Sequence, residues 1–168
     1  MVPYRYMAYY FSPSQILSLA AENEVAGQSF YTSLAAVVPS EDTKKIFTYL
    51  AGQEFEHEKV FRSMAEEIGK VDQEQEYAID IVSEMKKGIL EMQELAFKPP
   101  ADILDTSLLE KAIQVGIHTE IASIATYTQM SHVFTDNFKP IIGAIIAEEE
   151  AHLKRLTALL STIKTEQK

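Results

Sequence analysis

Glu54-Phe55-Glu56-His57 recurs in the second half of the chain as Glu149-Glu150-Ala151-His152. A lone glutamate precedes each motif: Glu24 lies 30 residues before Glu54, and Glu120 lies 29 residues before Glu149. Each lone glutamate is followed 7 residues later by a tyrosine, Tyr31 in one half and Tyr127 in the other. Side chains three positions apart share one helix face, so each Glu-x-x-His aims both groups the same way. One Glu from each of two helices, with a Glu-x-x-His from each of two more, is the ligand pattern of a two-metal carboxylate site in a helix bundle.

The surrounding sequence supplies the helices. Helical periodicity runs almost throughout, with six Gly, six Pro and no clear alternating strand. Ser12-Pro13 reads as a helix start, and Pro39 stops that helix after Val38. Ser40 caps a second helix over 41–68, with Glu41 and Asp42 in its first turn and Gly69 as its end. Ser107-Leu108-Leu109-Glu110 has capping-box spacing and opens a helix over 107–133; a last helix covers 137–164, with Pro140 in its first turn. The crossover, 70–106, contains a further helical stretch at 73–97 closed by Lys98-Pro99-Pro100. The expected fold is all-α: a single ferritin-like four-helix domain over 1–168, two antiparallel hairpins joined by a long crossover with its own helix.

On these helices each glutamate falls within an apolar or small-residue stripe. Ala20, Glu24, Gly27, Tyr31 and Leu34 share a face, as do Phe47, Leu50, Glu54, His57, Phe61 and Met64. Gly116, Glu120, Ser123 and Tyr127 form the third stripe; Ile142, Ile145, Glu149, His152, Leu156 and Leu159 form the fourth. Four buried carboxylates would repel one another and take up protons, which two divalent cations would relieve. The imidazoles favour iron over magnesium or calcium, with zinc or manganese as alternatives. Glu54 and Glu149 are read as bridging ligands, Glu24 and Glu120 as terminal ones, and His57 and His152 as one nitrogen ligand per metal. Tyr31 and Tyr127 are expected to hydrogen-bond ligand carboxylates of the opposite hairpin and tune them. Gly27 and Ser123 are expected to keep a small-walled space for dioxygen, peroxide or water. His118 and His132 fall outside the set, and Glu56, Glu58, Glu148 and Glu150 are read as mostly solvated.

Composition narrows the function classes. A net charge of −10 argues against a nucleic-acid partner. The absence of cysteine removes disulfides, thiolate catalysis and Cys-ligated iron centres from these 168 residues. Electrons for redox work must therefore come from a separate donor or from the metal. No run of 18 apolar residues is present, so no membrane span is expected, and the aromatic start does not read as a secretory signal. A cytoplasmic location is the expectation. Tyr4 to Phe11 is read as a subunit contact, with a flap over the bundle as the other reading.

Glu24, Glu54-x-x-His57, Glu120 and Glu149-x-x-His152, supported by Tyr31 and Tyr127, make the chain resemble the ferritin-like superfamily, and within it the rubrerythrin-like diiron proteins. The resemblance spans about residues 13–165. It implies two iron ions in a non-haem centre that reacts with dioxygen or hydrogen peroxide, in a homodimer served by an external electron donor. Full rubrerythrins carry a Cys-ligated module that these residues do not contain. They also carry an additional glutamate one turn before the lone glutamate of the third helix, where this chain has Ile117. That difference implies a six-ligand site closer to those of ferritins. The first functional expectation is an oxidoreductase; iron oxidation and storage, or a structural metal-binding helical module, are the alternatives.

Overall fold

The computed structural model describes residues 10–11, 13–68, 75–76, 106–134 and 137–166. Four long helices carry the fold among these residues: α1 (Pro13–Val37), α2 (Glu41–Ile68), α3 (Thr106–Val133) and α4 (Lys139–Glu166). Two short strands, β1 (Tyr10–Phe11) and β2 (Gln75–Glu76), pair antiparallel, Tyr10 opposite Glu76 and Phe11 opposite Gln75.

Local chemistry explains where the helices stop. Val38 N–H closes the last bond of α1 on Leu34 O at 3.0 Å, and Pro39 has no N–H with which to extend the ladder. Ser40 Oγ accepts from Thr43 N–H at 3.3 Å, satisfying a first-turn donor of α2. Its acidic neighbours Glu41 and Asp42 lie against the positive end of the helix dipole. Pro140 sits in the first turn of α4, where a missing N–H has no intrahelical bond to lose. Connections this short fold α1 on α2 and α3 on α4 as antiparallel hairpins.

Several sequence expectations are corrected. α3 is already under way at Thr106, one residue before the expected start at 107. α4 begins at Lys139 and not at 137. Gln75 and Glu76 are extended, so the crossover helix does not begin at 73. The remainder of the 73–97 stretch, the caps at Ser12 and Gly69, and Tyr4 to Tyr9 of the aromatic run fall outside the described residues. Tyr10 and Phe11 pair by their backbones with the crossover, which period-two alternation could not reveal in a two-residue strand.

The core runs between the hairpins. Leu17, Phe30, Tyr31, Leu34, Phe47, Leu50, Phe61, Ile113, Tyr127, Met130 and Ile142 are essentially sealed from solvent. Aromatic pairs brace it: Tyr31 stacks on Phe47 at 6.2 Å between centroids, and Phe61 of α2 leans on Tyr127 of α3 at 4.9 Å. Each such side chain contributes about 1.5–3 kcal/mol through burial, which holds the polar side chains among them in fixed positions. No helix among the described residues is long and apolar enough to cross a membrane.

Candidate metal centre

Glu24, Glu54, His57, Glu120, Glu149 and His152 all converge in the middle of the bundle, each at most 5% exposed. They fall into two overlapping groups of four: Glu24, Glu54, His57 and Glu149, and Glu54, Glu120, Glu149 and His152. Within each group one donor atom per residue lies within 4.8 Å of the others. Glu54 and Glu149 belong to both.

The distances show how they are shared. His57 Nδ1 lies 3.0 Å from Glu149 Oε1, 3.4 Å from Glu24 Oε2 and 3.8 Å from Glu54 Oε2. His152 Nδ1 lies 3.0 Å from Glu149 Oε2, 3.4 Å from Glu54 Oε1 and 4.0 Å from Glu120 Oε2. Glu54 and Glu149 thus turn one oxygen to each imidazole. Glu24 and Glu120 each approach one imidazole only, as end groups.

A metal fits this donor set on two grounds. Glu24 Oε2, Glu54 Oε1, His57 Nδ1 and Glu149 Oε1 are buried without a hydrogen bond, although they crowd one another. Buried polar atoms are rarely left so, and lone pairs that converge in this way call for an electrophile, a proton or a cation, among them. The spacing also suits one. Nitrogen and oxygen ligands sit roughly 2.0–2.2 Å from a divalent ion, which places two of them about 3.0 Å apart at right angles and about 3.4 Å apart at the tetrahedral angle.

The cluster's electrostatics are those of charges confined together. Burial, with the charge of Glu149 adding to it, pushes the Glu54 and Glu120 carboxyls well above the usual carboxylate range. Burial alone would lower His57, but contacts with Glu149, Glu24 and Glu54 outweigh it and raise the imidazole far above its usual value. Glu149 runs the other way: burial would raise it, yet the two histidines beside it bring it down to about 2.

The tyrosines bind across the hairpins. Tyr31 on α1 donates to Glu120 Oε1 on α3 at 2.5 Å, and Tyr127 on α3 donates to Glu24 Oε1 on α1. Burial raises both phenols well above their usual value, which keeps them protonated as donors.

Two participants were not expected. Asn23, 5% exposed, donates to Ser123 Oγ at 2.9 Å and to Tyr127 OH at 3.2 Å, and its amide stands 3.5 Å from Glu24 Oε1. Glu148, read as solvated, places Oε2 2.7 Å from His57 Nε2. The space assigned to Gly27 and Ser123 is also corrected. A Cβ on Gly27 would stand 3.2 Å from Glu54 Cγ, so Gly27 admits the Glu54 side chain, and the Ser123 hydroxyl is engaged by Asn23. His118, His132, Glu56 and Glu150 are exposed, and Glu58 pairs with Arg62 at 2.7 Å.

The sequence pattern of the rubrerythrin family matches residues 15–160. Among solved structures, a Thermotoga maritima protein described as ferritin-like and diiron-carboxylate superposes with a TM-score of 0.70. The two are 22% identical over 91% of this chain and 97% of that one, a likeness of fold. No curated protein sequence matches the chain.

Proposed function

This chain belongs to the rubrerythrin family, and from that premise we propose that it is a non-haem diiron protein with redox activity toward dioxygen or hydrogen peroxide. The observation that carries the reading is the sharing of Glu54 and Glu149 between two four-residue groups. Such sharing holds two cations side by side, whereas a single structural ion needs one closed set of four. Two Fe(II) ions supply one electron each, which matches the two electrons and two protons that take hydrogen peroxide to two waters. His57, Glu24, Glu54 and Glu149 would hold one ion, and His152, Glu120, Glu54 and Glu149 would hold the other.

The chain's own groups orient the site. Tyr31 and Tyr127 fix the rotamers of Glu120 and Glu24 and keep a proton at the phenol oxygen beside each. Tyr31, Phe47, Phe61, Leu50 and Leu156 seal the centre from bulk water. With no cysteine in the chain, re-reduction falls to an external electron donor. A cytoplasmic homodimer is the proposed setting.

Ile117, where the family has an additional glutamate, supports a second reading, ferroxidase activity with Fe(II) itself as substrate. Anaerobic titration with Fe(II), followed by stopped-flow mixing with dioxygen or hydrogen peroxide, tests both. Two Fe(II) bound per chain and oxidised by either reagent is the expected result. Uptake continuing beyond two shifts the reading to ferroxidase, and a stoichiometry below two defeats the diiron centre.

A further inference from the structure

We propose that Glu148 makes the Glu24/His57 half of the centre the first to fill with a divalent cation, so that the two ions load in order. The inference rests on the diiron reading and concerns how its two halves differ. The halves are near copies in sequence, yet the groups around them are not.

Around the first half, three outer contacts fix the ligands. His57 turns Nε2 toward Glu148 Oε2 at 2.7 Å, and Tyr127 and Asn23 both address Glu24 Oε1. A carboxylate accepts only, so Glu148 holds a proton on Nε2, and Nδ1, which faces Glu24, Glu54 and Glu149, is the nitrogen left to take a cation. The ring is therefore held in its ligating orientation before a cation arrives, and the proton it keeps when Nδ1 binds is already placed on the Glu148 side. Glu148 is half exposed and belongs to neither buried group of four, so it acts through His57 as a positioning residue.

Around the second half, Glu120 takes its hydrogen bond from Tyr31, and His152 Nε2 is buried with no hydrogen-bond partner. Glu148 directly precedes the glutamate of its motif; the residue in that place in the first motif is Gln53. Its side-chain oxygen accepts from Tyr49 OH at 2.9 Å. The His152 ring is placed by Glu149 and by Tyr49 edge-on at 6.2 Å, but no outer acceptor holds a proton on Nε2, so its tautomer is left for the cation to set. Outer partners of ligating histidines are worth about 10–100-fold in metal affinity.

Calorimetric titration of the metal-free protein with Co(II) tests the order. Wild type should take up two ions in resolved steps, with Glu24→Gln weakening the tighter step and Glu120→Gln the weaker one. Glu148→Ala should weaken the tighter step by about 10–100-fold and leave the other in place. Glu148→Gln, whose amide oxygen can still accept from His57, should lose less. Gln53→Glu should tighten the weaker step. The half-exposed position of Glu148 leaves the fold intact, which circular dichroism checks. Two Co(II) ions bound with Glu148→Ala indistinguishable from wild type, with both steps weakened alike, or with Glu120→Gln striking the tighter step, would overturn the proposal and leave the diiron reading standing. A wild-type stoichiometry below two overturns both.

Discussion

Replacing Glu54 by glutamine removes one of the two carboxylates shared by both halves of the centre while keeping the shape of the side chain. In the metal-free protein this change should stabilise the fold at alkaline pH. Burial and the charge of Glu149 push the Glu54 carboxyl well above 4.5 in the folded state. A carboxyl raised on folding favours the native state below its unfolded pKa, and that contribution is lost as pH rises toward the folded value. Each pH unit in that window costs about 1.4 kcal/mol, so from near pH 5 to near pH 8 the ceiling is about 4 kcal/mol. The buried amide, imperfectly paired, costs about 1–3 kcal/mol of its own. Near pH 8 the metal-free variant should therefore be more stable than wild type, by at most about 3 kcal/mol, which for a chain of this size is at most roughly 12 °C in Tm. Near pH 5 the advantage should vanish or reverse. Thermal melts of chelator-treated proteins, followed by circular dichroism at both pH values, measure the difference. Fe(II) added anaerobically should raise the Tm of wild type and leave the variant almost unmoved. A metal-free variant melting below wild type near pH 8, or offset equally at both pH values, would refute the account of Glu54 as a strained charge.

Tyr127→Phe removes the phenol donor to Glu24 but fills the same space against Phe61. It should leave Tm within a few degrees and weaken Co(II) binding at the Glu24/His57 half by about 10-fold, read by calorimetry; unchanged affinity would show that Asn23 alone holds Glu24. Gly27→Ala places a methyl 3.2 Å from Glu54 Cγ. Helix propensity gains about 1 kcal/mol from that change, so the metal-free Tm should hold or rise while metal affinity falls. A variant that binds two ions as tightly as wild type would show that Glu54 moves aside freely.

How much could be read from the residues alone follows from which contacts lie within one helix. Glu54 with His57, and Glu149 with His152, are pairs on a single helix face, so spacing alone brings them together. The duplication then indicates four helices, because one Glu-x-x-His cannot complete a two-metal set. Asn23 was also open to detection. Ile16, Ala20, Asn23, Gly27, Phe30 and Leu34 follow one another at helical spacing and are all buried, which makes Asn23 the polar member of a core stripe. Glu148 was not. It lies on its own helix one residue before Glu149, yet its partner is His57 on α2, a contact set by how two helices are placed and not by either sequence. The same limit applies to the pairing of Tyr10–Phe11 with Gln75–Glu76, where residues far apart in the chain meet through backbone groups that carry no side-chain pattern.

Charge arithmetic ties the buried cluster to a pair of cations. Four glutamates carry −4 when ionised, and two divalent ions carry +4, so the filled centre is neutral with both histidines uncharged. One ion leaves −2 in a sealed core, and none leaves −4 unless protons take the place of metal. The raised carboxyls of Glu54 and Glu120 and the raised imidazole of His57 show the metal-free cluster moving in that direction. Each ion must then displace protons as it binds, and affinity must rise with pH. The half best prepared for this has its ring already turned toward the cluster and an outer carboxylate, Glu148, to hold the proton that stays on Nε2. His57 meets that condition and His152 does not, so a nearly symmetric duplication yields two unequal positions for the same ion.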